Sequence, residues 1–258
     1  MDFLQSVLFG IVEGITEFLP ISSTGHLILT ARLLGLQQTD FLKTFEISIQ
    51  LGAILSVVVL YWKALSMNRE VLKRVIAAFI PTGIIGLALY KVVKKVFFAS
   101  EGLILWSLFL GGLFLIVFEL FHSRKRPTIS ELEAIPYGTS VLIGLFQSIA
   151  MIPGVSRSAA TIVGGLILGI ERRTIVEFSF LLAVPTMLAA TGLDLVKNAG
   201  AFSVNQLLYL AVGFVVSFGA ALLAVKFLLA YIKNHSFILF GVYRVVLVVL
   251  FWLVVRGT

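Results

Sequence analysis

Six stretches of the chain, at roughly 43–62, 75–94, 102–122, 175–193, 204–230 and 236–255, are each predominantly apolar. A bilayer-spanning helix needs about 20 such residues, so each run has the length of a membrane crossing. Composition agrees: 59% of the 258 residues are hydrophobic and 13% are charged, against about 25% charged in a typical soluble domain. That is too little polar surface for a soluble fold of this size. There are no cysteines, which excludes disulfides, thiolate chemistry, Cys-ligated zinc and iron–sulfur clusters. The net charge of +7 does not point to nucleic acid. The basic residues cluster in short loops, as in Lys63–Arg69–Lys73–Arg74 and Arg124–Lys125–Arg126, where they hold loops beside an anionic leaflet. The first residues, MDFLQSVLFG, lack a basic leader and a small-residue cleavage site, so the first hydrophobic segment is expected to stay on the protein.

Two further hydrophobic regions are interrupted. Residues 2–36 break at FLPISSTGH (18–26), and residues 137–170 break at IPGVSRS (152–158). Each break is a proline followed by hydroxyl side chains, flanked by apolar pieces too short for a comfortable crossing. Non-helical backbone at membrane depth is tolerated only inside protein or against a wet cavity. Both regions therefore read as re-entrant helix–loop–helix hairpins.

The two regions also match each other. Gly10, Glu13, Ser22, Ser23 and Thr24 align at one constant offset with Gly144, Gln147, Ser156, Arg157 and Ser158. The expected fold is an all-α polytopic membrane protein built from an inverted-topology repeat. Repeat 1 covers about 1–122, a polar linker 123–136, and repeat 2 about 137–258. Each half holds one re-entrant hairpin and three transmembrane helices. An odd number of crossings inverts the second half, so the hairpins enter from opposite faces and meet near the midplane. Ten basic loop residues against six favour both termini outside, with the cluster at 91–95 counting the other way.

The breaks carry the chemistry. Glu13 and Glu17 lie four apart in an apolar helix, a spacing that stacks both carboxylates on one face. Acids in hydrocarbon are costly unless they face a cavity and find partners. A divalent cation relieves their mutual repulsion, and magnesium takes one or two carboxylates and completes its shell with water and phosphate oxygens. The competing structural reading is a pair sharing one proton at a helix interface. Ser22, Ser23 and Thr24 sit at the expected start of a helix, where hydroxyls serve as N-caps; capping is the preferred reading of Ser22. His26 shares that turn, and a neutral imidazole can act as base or nucleophile near pH 7. His122 and His235 lie at segment ends and read as structural. In the second break Gly154 permits an unusual turn, and Ser156, Arg157 and Ser158 open the next helix. A helix N-terminus is an anion site, and an arginine fork suits phosphate oxygens. A buried Arg157 also suits simple pairing with Glu13 or Glu17. Beyond the breaks, Glu46 and Gln50 share a helical face and are candidates to support the site. Glu177 is expected near a helix start beside Arg172 and Arg173, Gln147 as a neutral counterpart of Glu13, and Arg244 opposite an acid. Together these residues describe a site for a lipid-borne phosphate with a divalent metal.

GIVEGITEFLPISSTGHLIL (10–29) and MIPGVSRSAATI (151–162) resemble the two signature regions of the undecaprenyl-diphosphate phosphatase family. EISIQLGAI (46–54) and EFSFLLAVPTM (177–187) are similar to further family segments, and the likeness runs through essentially the whole chain. The resemblance implies hydrolysis of undecaprenyl diphosphate to the monophosphate, recycling of the cell-wall lipid carrier, and bacitracin resistance. It implies that Glu13 and Glu17 serve a Mg2+ or Ca2+ ion and the diphosphate, that Arg157 holds phosphate, and that Ser23 and His26 lie at the reacting phosphorus. Whether Ser23, His26 or water attacks stays open. The family expectation is a multi-pass protein of the bacterial inner membrane with its site reached from the outer, periplasmic face; a homodimer is left open. The alternative is a polyprenyl-phosphate flippase or transporter, since inverted repeats with broken helices are also a transporter signature. A channel is disfavoured, because crossings such as 102–118 are apolar throughout.

Overall fold

A computed structural model describes residues 1–37, 39–92, 101–122, 127–198 and 204–256. Lys94, Lys95 and Arg124–Lys125–Arg126, which entered the orientation count, lie outside the described residues. The described residues are helical, with short turns and no strands among them. In chain order the helices are α1 (Phe3–Thr16), α2 (Ser23–Leu33), α3 (Asp40–Leu60), α4 (Trp62–Ser66), α5 (Arg69–Val92), α6 (Glu101–His122), α7 (Tyr137–Ser148), α8 (Arg157–Ile167), α9 (Arg172–Asn198), α10 (Val204–Tyr231) and α11 (Ile238–Arg256).

Among the described residues, five helical stretches are long and apolar enough to cross a membrane: Phe41–Leu60, Arg69–Leu89, Glu101–His122, Arg172–Gly192 and Gln206–Tyr231. They fall on five of the six expected crossings. The sixth is α11, apolar over the shorter stretch Ile238–Val254. Leu4, Leu87, Phe121, Leu223 and Leu253 stand exposed on the outside, as suits a surface that meets lipid rather than water. The chain is a multi-pass membrane protein.

Both interrupted regions form helix–break–helix units, α1–α2 and α7–α8. Asp2 and Gln5 form a reciprocal capping box that starts α1. Ser22 caps α2 and Ser156 caps α8, each at positive φ (71° and 81°). α2 and α8 then end alike at positive-φ glycines, Gly35 and Gly169, each followed by a backbone bond back into the last turn (Leu36 N to Ala31 O, 2.9 Å; Ile170 N to Gly165 O, 3.0 Å). This is the Schellman-type helix stop.

The units pack against the long helices on one face and stand exposed on the other. α1 packs on α10 and α7 on α5, α3 packs on α9 and α10, and α6 packs on α11. Small residues set these approaches, as in membrane bundles generally. A Cβ on Gly112 would stand 2.8 Å from the Gly241 carbonyl oxygen, and one on Gly241 would stand 2.7 Å from that of Gly112. The main core gathers Phe18, Leu19 and Ile21 of the first break with Ile162 and Leu166 of α8 and Phe178–Val184 of α9. The first break is thus held against the second unit.

At one end Glu119 (1% exposed) accepts a two-pronged bond from Arg172 (2.5 and 2.9 Å) and a third from the Phe237 N–H (3.1 Å), tying α6, α9 and the start of α11. The described part of the linker is tied down too. Thr128 N–H donates to Gly169 O (2.8 Å), Glu171 N–H to Ile129 O (2.7 Å), and Arg74 Nε to the carbonyl of buried Ile135 (2.7 Å).

Candidate active site

The first break presents two acids and a serine. Glu13 lies in the last turn of α1, and Glu17 ends that helix with its N–H on the Glu13 carbonyl (2.9 Å). Glu13 is fully buried; its carboxylate oxygens meet no N–H or hydroxyl donor, and the Glu17 carboxyl lies within reach of them. Glu17, 6% exposed, accepts from the Ser23 hydroxyl at 2.6 Å through Oε2.

The second break reaches the same point. Arg157 Nη2 donates to Glu17 Oε1 at 3.3 Å, and Nη1 donates to the Ser179 carbonyl at 2.8 Å and its hydroxyl at 3.5 Å. Arg157 Nε is buried and meets no acceptor. Beside it the Ser158 hydroxyl donates to the Phe18 carbonyl at 2.7 Å, a backbone oxygen released by the end of α1. A Ser23–Glu17–Arg157–Ser179 chain therefore runs from one broken unit to the other, inside the protein. The pairing of Arg157 with Glu17 is the one weighed from sequence; Arg157 does not reach Glu13 by a hydrogen bond.

Ser22 and Ser156 are spent on capping. Each accepts from a backbone N–H of its own helix, Gly25 at 3.5 Å and Ala159 at 3.2 Å. Thr24 is half-buried in the first turn of α2. Gly154 takes φ +94°, with no room for a side chain.

His26 is turned to a different partner. Its Nδ1 lies 2.8 Å from the Ser22 carbonyl, its Nε2 lies 2.8 Å from the Tyr243 hydroxyl, and the two rings stack with 4° between planes. Its nitrogens are taken by Ser22 and Tyr243 rather than by Ser23. Arg244, the next residue of α11, is fully buried and corrects a sequence expectation. It faces no acid. Its guanidinium donates to four carbonyls: Leu108 (3.1 Å), Ser107 (3.1 Å), Val155 (3.1 Å) and Gly154 (2.7 Å). Where an acid was expected, α6 supplies two of the acceptors and the second break the other two, from backbone carbonyls that its loop leaves unbonded. Gln147 donates to Thr82 (3.0 Å) and Thr186 (3.1 Å) and stays apart from the acids. Glu177 pairs with Arg173 at 2.9 Å.

Sequence reading missed Ser179, Tyr243 and the Phe18 carbonyl. Arg244 had announced itself as an ionisable group at membrane depth. Ser179 and Tyr243 had no signal beyond being polar atoms in apolar helices.

The carboxylates bear on a metal. Among the described residues no group of three or more acidic or histidine side chains is placed to hold an ion. Two bare oxygens on a buried Glu13, one turn from Glu17, nevertheless fit a hard cation that takes one or two carboxylates and fills its shell from water and phosphate.

Residues 6–250 match the family model described as Bacitracin resistance protein BacA. A protein of Sulfurihydrogenibium sp. named Undecaprenyl-diphosphatase is 54% identical over 98% of this chain and 99% of its own length. Proteins of the same name from Aquifex aeolicus and Persephonella marina are 53% and 51% identical, over 94% and 99% of this chain and 94% and 100% of their own lengths. The chain therefore belongs to the BacA family of bacitracin resistance proteins.

Proposed function

We propose that this protein hydrolyses undecaprenyl diphosphate to undecaprenyl phosphate and inorganic phosphate, recycling the lipid carrier of cell-wall synthesis and so conferring bacitracin resistance. The observation that carries the reading is the buried Ser23–Glu17–Arg157 chain, which joins a hydroxyl, a carboxylate and a guanidinium from two separate breaks. The names of the relatives support it, and they favour hydrolysis over lipid carriage.

Phosphoryl transfer is catalysed mainly by positioning and charge neutralisation. Arg157 keeps a spare N–H at Nε, and the first N–H groups of α2 and α8 add two positive helix ends. The 2.6 Å bond from Ser23 to Glu17 has the form of a nucleophile beside its base. In this reading Ser23 Oγ attacks the terminal phosphorus and its proton passes to Glu17. The anhydride bond breaks with undecaprenyl phosphate leaving, and water then releases phosphate from the serine. Glu13, with Glu17, would hold Mg2+ or Ca2+, which supplies further positive charge to the diphosphate oxygens.

The same local geometry recurs at Ser22 and Ser156 and at Gly35 and Gly169, and α1 on α10 mirrors α7 on α5. This supports a repeated fold; the reading takes the repeat as inverted, with both termini outside the bacterial inner membrane on the loop-charge count and a site opening to the outer face on the family resemblance.

Phosphate release from undecaprenyl diphosphate by the purified protein tests the reading. Release with magnesium, its loss in chelator, and its return when magnesium is restored are expected. No release by folded protein with either magnesium or calcium would sink the enzyme. Full release in chelator would remove the metal alone.

A further inference from the structure

Three observations meet at His26. First, a carbonyl only accepts, so the 2.8 Å contact with Ser22 O places the proton on Nδ1, assigned here from the hydrogen-bond network. In the neutral ring Nε2 then accepts from the Tyr243 hydroxyl. Second, Ser22 is one of two non-glycine residues at positive φ among the described residues. Such a conformation persists only where its surroundings hold it, and its carbonyl is held by His26. Third, Ser22 directly precedes Ser23, so whatever fixes the Ser22 backbone aims the Ser23 hydroxyl at Glu17. The neighbouring residue on α11, Arg244, does the same for the other break by bonding the Gly154 and Val155 carbonyls ahead of Ser156, the second positive-φ serine.

We propose that Tyr243 is a positioning residue for the reaction: stacked on His26 and bonded to its Nε2, it holds the imidazole on the Ser22 carbonyl and thereby sets the break that presents Ser23. The inference rests on hydrolysis at Ser23. It assigns Tyr243 no contact with substrate. Its effect passes through His26, so it belongs to kcat more than to binding.

Tyr243→Phe keeps the ring and removes the hydroxyl, so the stack survives and one hydrogen bond goes. The expected result is a kcat lower by about fivefold to tenfold, the worth of one hydrogen bond, with KM moved less than about twofold. In the His26→Ala background the same substitution is expected to change kcat little, because the residue through which it acts is gone. A readout without substrate accompanies these. In protein carrying 15N-histidine, three side chains report, and the His26 signals are identified by their loss in His26→Ala. Wild type is expected to show one neutral tautomer with Nε2 unprotonated, and Tyr243→Phe a mixture of both. Wild-type kcat and an unchanged His26 signal in Tyr243→Phe would overturn the proposal. So would an equal fractional loss with and without His26. Failure of the phosphatase reading looks different: wild type would release no phosphate while the tautomer result stood.

Discussion

Arg157→Ala is expected to lower kcat/KM for phosphate release from undecaprenyl diphosphate by about a thousandfold or more. Removing one preorganised donor from an anion-stabilising site costs about 10²–10³, and an arginine on a transferring phosphoryl group is worth about 10³–10⁵. Two losses coincide here. The phosphate loses its planar cation, and Glu17 loses the partner at 3.3 Å that balances a carboxylate with only 4% of its side chain exposed. A buried charge left alone is costly, so Glu17 is expected to rearrange, and Ser23 would lose its acceptor. Arg157→Lys restores the charge but not the fork that reaches Glu17 and Ser179 together, so it should recover only part of the rate. Steady-state kinetics of both variants, with thermal unfolding to confirm folding, checks this. Activity within tenfold of wild type in Arg157→Ala would remove Arg157 from the reaction.

Gly154→Ala is expected to damage both stability and activity. The residue sits at φ +94°, and an added Cβ would lie 2.6 Å from the Ile104 carbonyl oxygen and 2.8 Å from the Ser107 Cβ. Strained backbone and overpacking each cost about 1–3 kcal/mol. The change also displaces the Gly154 carbonyl from Arg244, a 2.7 Å bond that fixes the approach to Ser156 and Arg157. A misplacement of about 1 Å at the reacting groups costs about 100-fold, which is the loss expected in kcat. Gly138→Ala is the matched control, because a Cβ there meets nothing within 4 Å. It should behave as wild type in both the unfolding midpoint and phosphate release. Equal stability and activity in the two variants would show that the second break tolerates a side chain, contrary to the geometry described.

The spans were legible because an apolar run of membrane length leaves few alternatives, and the breaks because Pro20 and two clusters of hydroxyls interrupt such runs. Glu13, Glu17 and Arg157 stood out for the cost of charge in hydrocarbon. What the residues are bonded to was not legible. Arg244 drew an acid in the sequence reading, yet the second break offers free carbonyls that satisfy the guanidinium as well. Tyr243 reads as one more aromatic in an apolar helix, and only the contact between residues far apart in sequence brings it to His26. Ser23 and His26, three residues apart in one helical turn, read as members of one reacting centre. In the structure Ser23 bonds Glu17, while His26 bonds Ser22 and Tyr243. Neighbours in sequence thus take different partners, a choice set by side-chain direction around the helix rather than by spacing.

The central claim is that the two breaks build a single phosphatase site. Ser23 belongs to the first break and Arg157 to the second, and each is bonded to Glu17. The most direct measurement is a double-mutant cycle on kcat/KM for phosphate release, using Ser23→Ala, Arg157→Ala and the pair together. Residues that act as one unit lose function non-additively. The expected result is a double variant within a few-fold of the weaker single one. Losses that multiply would contradict a shared site and leave the two breaks acting independently.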